Sequence, residues 1–135
     1  MRLLGIDYGT KNIGLAIGET NGLALPFGII ENKNWKQVLE DIKKIVKKEE
    51  IGTIVIGLPL LKSGSLSKIA REILKFSKFL LEEIKIPVKF QNEQFTSKEV
   101  EKLFLDYKKE KKSIKKDAIE AMVILQDYID INKNK

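Results

Sequence analysis

The stretch RLLGIDYGTKNIGLAIG, residues 2–18, decides the fold of this chain. Two runs rich in Leu, Ile, Gly and Ala flank a glycine-containing turn, which predicts adjacent β-strands over 2–8 and 12–19. A similar run over 23–31 predicts a third strand, so the three form an antiparallel meander. The first strand ends in Asp7, where the pattern calls for another buried residue. Because an unpaired charge is costly to bury, Asp7 needs a partner.

The second strand of this stretch has two unlike faces. Bulky residues alternate with small ones along it: Ile13, Leu15 and Ile17 on one side, Gly14, Ala16 and Gly18 on the other. The face with the small residues is nearly bare, so a helix or a ligand can come close to the backbone there.

The rest of the chain predicts helices alternating with strands. Asn34 and Gln37 have the spacing of a capping box before an amphipathic helix, and Thr96 with Glu99 repeats that spacing before a short helix. The predicted elements after the meander are a helix to about 46, a strand over 53–57, a helix from Leu66 to Leu81, a strand over 87–93, the short helix to Phe104 and a last helix over 118–129. Helical connections imply parallel pairing of the fourth and fifth strands. We therefore expect one α/β domain over 1–135, with the order βββαβαβαα and a five-stranded mixed sheet carrying helices on both faces.

Composition restricts the chemistry available to this protein. Its 135 residues include neither cysteine nor histidine, which excludes disulfides, thiolate nucleophiles, Cys/His zinc sites and imidazole catalysis. The net charge of +6 favours a polyanion such as nucleic acid as partner, although a lysine- and glutamate-rich composition also fits a thermophilic or AT-rich source. There is no apolar run of about 20 residues and no signal-peptide pattern, so we expect no membrane association and a cytoplasmic location.

Three acids are candidates for one metal site. Asp7 ends the first strand, Glu93 ends the fifth, and Asp117 lies in the first turn of the last helix. The carboxyl ends of parallel strands form the usual ligand edge of an α/β sheet, so the three could converge there and bind Mg²⁺ or Mn²⁺. Other roles stay open for each: Asp7 could cap a turn, Glu93 could lie on a polar strand face, and Asp117 could complement the helix dipole.

Four segments carry a resemblance to a known family: GIDYGTKNIGLAIG, IVIGLPL, NEQFTS and KKDAIEAMVILQDYI. Over essentially its whole length, the chain resembles the YqgF family, the RuvC-like candidate Holliday junction resolvases also described as precursor 16S ribosomal RNA nucleases. The resemblance implies a ribonuclease H-like fold. It also implies that Asp7, Glu93 and Asp117 bind divalent metal and that Gly9 and Thr10 form the turn beside the first acid.

The chain departs from the family pattern where arginines are usual. Asn92, Glu93 and Gln94 stand where the family usually has Asp-Glu-Arg, and Asn12 stands where an arginine or lysine is usual. Either lysines replace the missing arginines, or activity is weaker. We expect the nucleic acid to contact Gly9, Thr10 and a set of lysines: Lys11, Lys108, Lys109, Lys111, Lys112, Lys115 and Lys116. A mobile, solvated loop is the competing interpretation of the lysine run.

The predicted reaction is hydrolysis of a phosphodiester with two metal ions about 4 Å apart, Asp7 being the shared ligand. The resemblance favours 5′-end maturation of precursor 16S ribosomal RNA, hence RNA over DNA, by a monomer or weak homodimer. Junction resolution by a dimer is the second reading. Two further interpretations stay open: a non-catalytic nucleic-acid-binding domain, and an actin-like ATPase, which the IDYGT motif also resembles.

Overall fold

The computed structural model describes residues 1–61, 63–92 and 116–133. These residues form five strands and three helices, whose bounds are β1 Arg2–Asp7, β2 Asn12–Glu19, β3 Leu25–Glu31, α1 Trp35–Lys48, β4 Ile51–Leu58, α2 Lys68–Glu83, β5 Val88–Asn92 and α3 Lys116–Asn132. The predicted short helix after Thr96 and the lysine run over 107–115 lie outside the described residues. The interpretation of 1–135 as one domain stays a prediction.

The five strands form one mixed sheet in the order β3-β2-β1-β4-β5. β1 pairs antiparallel with β2, and β2 pairs antiparallel with β3. β4 pairs in parallel with both β1 and β5. The predicted meander and the parallel pairing are therefore confirmed. β1 is the central strand, and its carboxyl end lies at the same edge of the sheet as that of β4.

Helices cover both faces of the sheet, as the sequence predicts. On one face, α1 and α2 pack their apolar stripes over residues that include Leu4, Ile13 and Ile54. On the other face, α3 packs over Leu3, Ala16 and Val55. Successive side chains of a strand point to opposite faces, which explains why neighbours such as Leu3 and Leu4 belong to different layers.

The two capped helices begin where side chains satisfy their first backbone N–H groups. The Asn34 side chain accepts a hydrogen bond from the Gln37 backbone N–H, which confirms the predicted cap of α1. The expected start of α2 at Leu66 is wrong. Leu66 instead forms a bridge with Leu60, and Ser67 is the N-cap, its hydroxyl accepting from the Ala70 N–H. Leu66 has the spacing of the apolar residues of α2, so the sequence pattern includes it in the helix although it precedes the N-cap.

None of the helices in the described ranges combines the length and the apolar character that a membrane span requires.

Candidate metal centre

Asp7 lies at the carboxyl end of the central strand. It is the last residue of β1 and is partly buried, opposite Gly14 in the antiparallel pair with β2. Its side chain is on the face that α3 covers, because it alternates with the buried Leu3 and Gly5. The carboxylate is therefore presented toward the amino end of α3.

Glycines allow α3 to lie close to the sheet. A Cβ built on Gly14 would overlap the carbonyl oxygen of Asp117, and one built on Gly5 would lie 2.8 Å from the Leu125 Cβ. A side chain at either position would push the helix outward. The bare face predicted for β2 is thus occupied by a helix, and its closest contact is at the first turn of α3.

Three carboxylates meet where β1 ends and α3 begins. Asp7, Asp117 and Glu120 each offer a ligand oxygen, and these oxygens lie within 4.8 Å of one another. All three side chains are partly buried. The structure therefore brings together Asp7 and Asp117, as the sequence predicts, whereas Glu93 lies outside the described residues.

Glu120 is the member of this cluster that sequence reasoning missed. It follows Asp117 by three residues in α3, and residues spaced by three lie on the same side of a helix. That spacing was the available signal, but an acid near a helix start is also an ordinary surface residue. Only the position of α3 over β1 brings Glu120 to Asp7.

The donor set fits a hard divalent cation. Three carboxylates supply oxygen ligands alone, the type that Mg²⁺ and Mn²⁺ bind. Carboxylates this close repel one another unless a positive charge lies between them. Lys116 gives limited compensation, since its Nζ is 3.7 Å from Oε1 of Glu120 and its side chain is 70% exposed.

Asn32 holds the turn between β1 and β2 with two hydrogen bonds. The Gly9 carbonyl accepts a hydrogen bond of 2.9 Å from Nδ2 of Asn32, and the Lys11 carbonyl accepts one of 2.8 Å from the Asn32 backbone N–H. A Cβ built on Gly9 would overlap the Asn12 carbonyl oxygen, so this tight turn requires glycine. Thr10 and Lys11 are exposed at its tip. Of the predicted nucleic-acid contacts, Lys108, Lys109, Lys111, Lys112 and Lys115 lie outside the described residues.

On the opposite face of the sheet, Tyr8 connects the turn to α1 and α2. Its hydroxyl donates a hydrogen bond of 2.5 Å to Oε2 of Glu72 and accepts one of 3.2 Å from Nε1 of Trp35. Burial is the main cause that raises the pKa of Tyr8 above its ordinary value of 10.0, and the hydrogen bond to the Glu72 carboxylate adds to it. Tyr8 is therefore a neutral donor at physiological pH.

A five-stranded mixed sheet in the order β3-β2-β1-β4-β5 with helices on both faces is the ribonuclease H-like fold, and carboxylates lie here at the end of its central strand and at the start of α3. Residues 1–131 match the family described as "RuvX: Holliday junction resolvase". The chain belongs to this family, which is the YqgF family named above. The family is one of nucleases, and the resemblance to it that the sequence shows is confirmed.

Relatives agree with this assignment, and a solved structure has a similar fold. The chain is 33% identical over 139 residues to a candidate pre-16S rRNA nuclease of Thermoanaerobacter pseudethanolicus, with 100% of each chain covered. It is 35% identical to one of Syntrophomonas wolfei, covering 96% of this chain and 94% of the relative. The fold is similar to that of T. thermophilus RuvC in complex with a Holliday junction substrate, with a TM-score of 0.67, 13% identity and coverage of 100% and 97%.

Proposed function

We propose that this protein is a divalent-metal-dependent nuclease that hydrolyses phosphodiester bonds in the 5′-end maturation of precursor 16S ribosomal RNA. The observation that carries the proposal is the convergence of the Asp7, Asp117 and Glu120 carboxylates in a chain of this family. The names of the relatives support the choice of RNA substrate.

Each acid has its own role in binding the metal. Asp7 extends from the central strand of the sheet, where it pairs with Gly14 of β2. Asp117 and Glu120 extend from the start of α3 and approach Asp7 from the helix that covers this face of the sheet. Glu93 is retained as a further ligand on the sequence resemblance alone.

Bound Mg²⁺ or Mn²⁺ would supply Lewis-acid stabilisation of the charge that develops on the phosphate and would lower the pKa of water. The protein residues position the ion and the substrate. This division of labour suits a chain without histidine or cysteine, because no side-chain base of ordinary pKa near 7 is available.

Contact with the phosphate backbone is assigned to the lysines around the site. Lys11, at the tip of the turn that follows Asp7, and Lys116, which precedes Asp117 at the start of α3, are both exposed. The lysines of the run 108–115 precede Lys116 directly in the chain. Gly9 and Thr10 offer the backbone and the hydroxyl of the turn.

We propose that the protein acts as a monomer or weak homodimer in the cytoplasm.

Resolution of Holliday junctions is the second candidate function. The family description names it, and T. thermophilus RuvC in complex with a junction has a similar fold. A resolvase would act as a dimer with two active sites, because two strands of the junction must be cut.

The test uses purified protein with a precursor RNA that spans the 5′ end and with a synthetic four-way DNA junction, in Mg²⁺, Mn²⁺ or EDTA. We expect cleavage of the RNA in metal, none in EDTA and none by Asp7→Asn, Asp117→Asn or Glu120→Gln. Glu82→Gln, an exposed acid at the far end of α2, is the matched control and should cleave like the wild type. Full activity in EDTA contradicts the metal site. Symmetric cutting of the junction with the RNA left intact favours the second candidate.

A further inference from the structure

A basic cavity lies beside the turn that follows β1, on the face of the sheet covered by α1 and α2. Its volume is about 610 Å³, within the range of ligand pockets. We use "basic cavity" for the space lined by Tyr8, Thr10, Asn32, Lys33, Asn34, Trp35, Lys68, Arg71, Glu72 and Lys75. Asp7, Asp117 and Glu120 do not belong to this lining.

The cations of the basic cavity come mainly from one side of α2. Lys68, Arg71 and Lys75 are spaced by three and four residues, so they form one row along the helix. All three are exposed, and within the described ranges none of them has an acidic side chain within ion-pair distance. The Glu72 carboxylate, which also lines the cavity, accepts a hydrogen bond from the Tyr8 hydroxyl. Together with Lys33, the row outweighs the single Glu72 carboxylate of the lining, so the described lining carries a net positive charge suited to phosphate.

Trp35 supplies an aromatic wall of the same cavity. Its ring is held by Phe76 at a centroid distance of 5.5 Å and by Phe79 at 5.7 Å, while its Nε1 donates to the Tyr8 hydroxyl. The side chain is only half-buried, so part of the indole faces the cavity. An aromatic surface next to cations that form no ion pair within the described ranges is the combination that binds a base together with its phosphate.

The basic cavity and the three carboxylates of Asp7, Asp117 and Glu120 lie at the same edge of the sheet but on opposite faces. Asp7 and Tyr8 are neighbours in the chain, and their side chains point to opposite faces. The turn carrying Thr10 lies between the two sites, and Thr10 itself lines the cavity. A nucleic-acid strand that crosses this edge can therefore contact both the basic cavity and the carboxylates.

We propose that the basic cavity binds one nucleotide of a single-stranded RNA substrate next to the bond that is cut. Lys68, Arg71 and Lys75 contact its phosphate, and Trp35 contacts its base. The proposal rests on the proposed nuclease function. It also assigns a phosphate-binding role to an arginine, since a guanidinium binds phosphate with two parallel hydrogen bonds. The chain has Gln94 where the family usually has arginine and Asn12 where it usually has arginine or lysine.

The single tryptophan of the chain makes the base contact measurable, because all tryptophan emission comes from Trp35. A 12-nucleotide oligouridylate is titrated into the wild-type protein in EDTA at low salt, with binding followed independently by anisotropy of a labelled copy. We expect the oligonucleotide to quench Trp35 emission in step with binding, whereas inorganic polyphosphate, which lacks bases, leaves it unchanged. Saturated oligonucleotide binding with unchanged Trp35 emission would overturn the proposal.

The phosphate contact is tested with a charge-matched pair of variants. The cavity variant replaces Lys68, Arg71 and Lys75 by alanine. The control replaces Lys44, Lys47 and Lys78, three exposed cations outside the lining. We expect binding to weaken about tenfold or more in the cavity variant and about twofold or less in the control, and the salt slope to fall by about 0.7 for each phosphate that is no longer neutralised. Equal weakening in both variants would mean non-specific attraction and would overturn the proposal.

Different measurements would contradict the proposed nucleotide binding in the basic cavity and the proposed metal site. Oligonucleotide binding is measured in EDTA and needs no cleavage. The metal site is measured by the rise of the melting temperature with Mn²⁺, which the cavity variant should retain. Thermal unfolding of both triple variants establishes that they are folded. A folded wild type that binds no oligonucleotide at low salt would contradict the cavity even if Mn²⁺ still raises its melting temperature.

Discussion

Gly14 lies directly against the backbone of Asp117, so closely that a Cβ at position 14 would overlap the Asp117 carbonyl oxygen. Gly14 is also the cross-strand partner of Asp7. One residue without a side chain therefore brings an acid of the sheet and an acid of α3 to the same place. The proximity of the Asp7 and Asp117 carboxylates therefore depends on this contact.

Gly14→Ala should separate the carboxylates without removing any of them. The added methyl group forces α3 away from β2, which we expect to cost about 1–3 kcal/mol of the free energy of unfolding. Misplacing a catalytic group by about 1 Å can lower the rate about 100-fold, so cleavage should fall more than stability suggests. Urea unfolding and a cleavage assay provide the two measurements.

Gly28→Ala is the matched control for that variant, because nothing lies within 4 Å of a Cβ at Gly28. Its free energy of unfolding should stay within about 0.5 kcal/mol of the wild type. Wild-type cleavage by Gly14→Ala would show that the close approach of α3 is not needed for the site.

Asp117→Asn should raise the stability of the metal-free protein. Three carboxylates with oxygens within 4.8 Å repel one another, and removing one charge relieves part of that repulsion, by about 0.5–1 kcal/mol. Adding Mn²⁺ should raise the melting temperature of the wild type but not that of the variant. An equal Mn²⁺ response in both proteins would place the metal elsewhere.

Lys116→Ala should separate the effects on metal and on nucleic acid. The Lys116 ammonium group lies near the Glu120 carboxylate and competes with a cation for it. Because the pair is exposed, its removal should tighten Mn²⁺ binding only about twofold. Oligonucleotide binding in EDTA should weaken instead. Mn²⁺ affinity from calorimetry and oligonucleotide affinity from anisotropy should thus change in opposite directions, and parallel changes would count against the proposed role.

Tyr8→Phe should change how stability depends on alkaline pH. The pKa of Tyr8 is raised in the folded protein, so above pH 10.0 the unfolded chain loses this proton before the native state does. The contribution of Tyr8 to stability is present below pH 10.0 and is lost as pH rises through the folded-state pKa. The Phe variant lacks this loss.

At neutral pH the same variant should be less stable by about 1.5–3 kcal/mol, since the partly buried Glu72 carboxylate loses a hydrogen-bond donor. Urea unfolding of both proteins at neutral pH and at pH above 10.0 gives the two comparisons. The stability difference should shrink as the pH rises, and a constant difference would argue against the raised pKa.

The lysine run offers a test of the prediction made from sequence. Replacing Lys108, Lys109, Lys111 and Lys112 by alanine should weaken binding to all sequences and lower the salt slope by about 0.7–0.9 for each phosphate that is no longer neutralised. Cleavage at saturating substrate should change much less, because none of the four is a proposed metal ligand. An unchanged salt slope would identify the run as a solvated loop and leave the basic cavity as the main phosphate contact.

The amino-acid sequence by itself determined the order of the elements that the structure describes and the faces that β2 and α1 bury. Period-two alternation in β2 separates Ile13 and Leu15 from Gly14 and Ala16, and helical spacing places Val38 and Ile42 on one stripe of α1. These patterns are local, because each depends on residues a few positions apart. The same local logic singled out Asp7, an acid at the end of an apolar strand.

Only the tertiary structure decided which distant residues meet. Glu120 resembles any acid in the first turns of a helix until α3 packs over Gly5 and Gly14 and brings it to Asp7. The basic cavity likewise joins Tyr8, Trp35 and Arg71, which come from a strand and two helices. Sequence periodicity specifies the buried face of a helix, but its position along the sheet depends on where backbones can approach. The glycines that permit this approach show their partners only when the chain is folded.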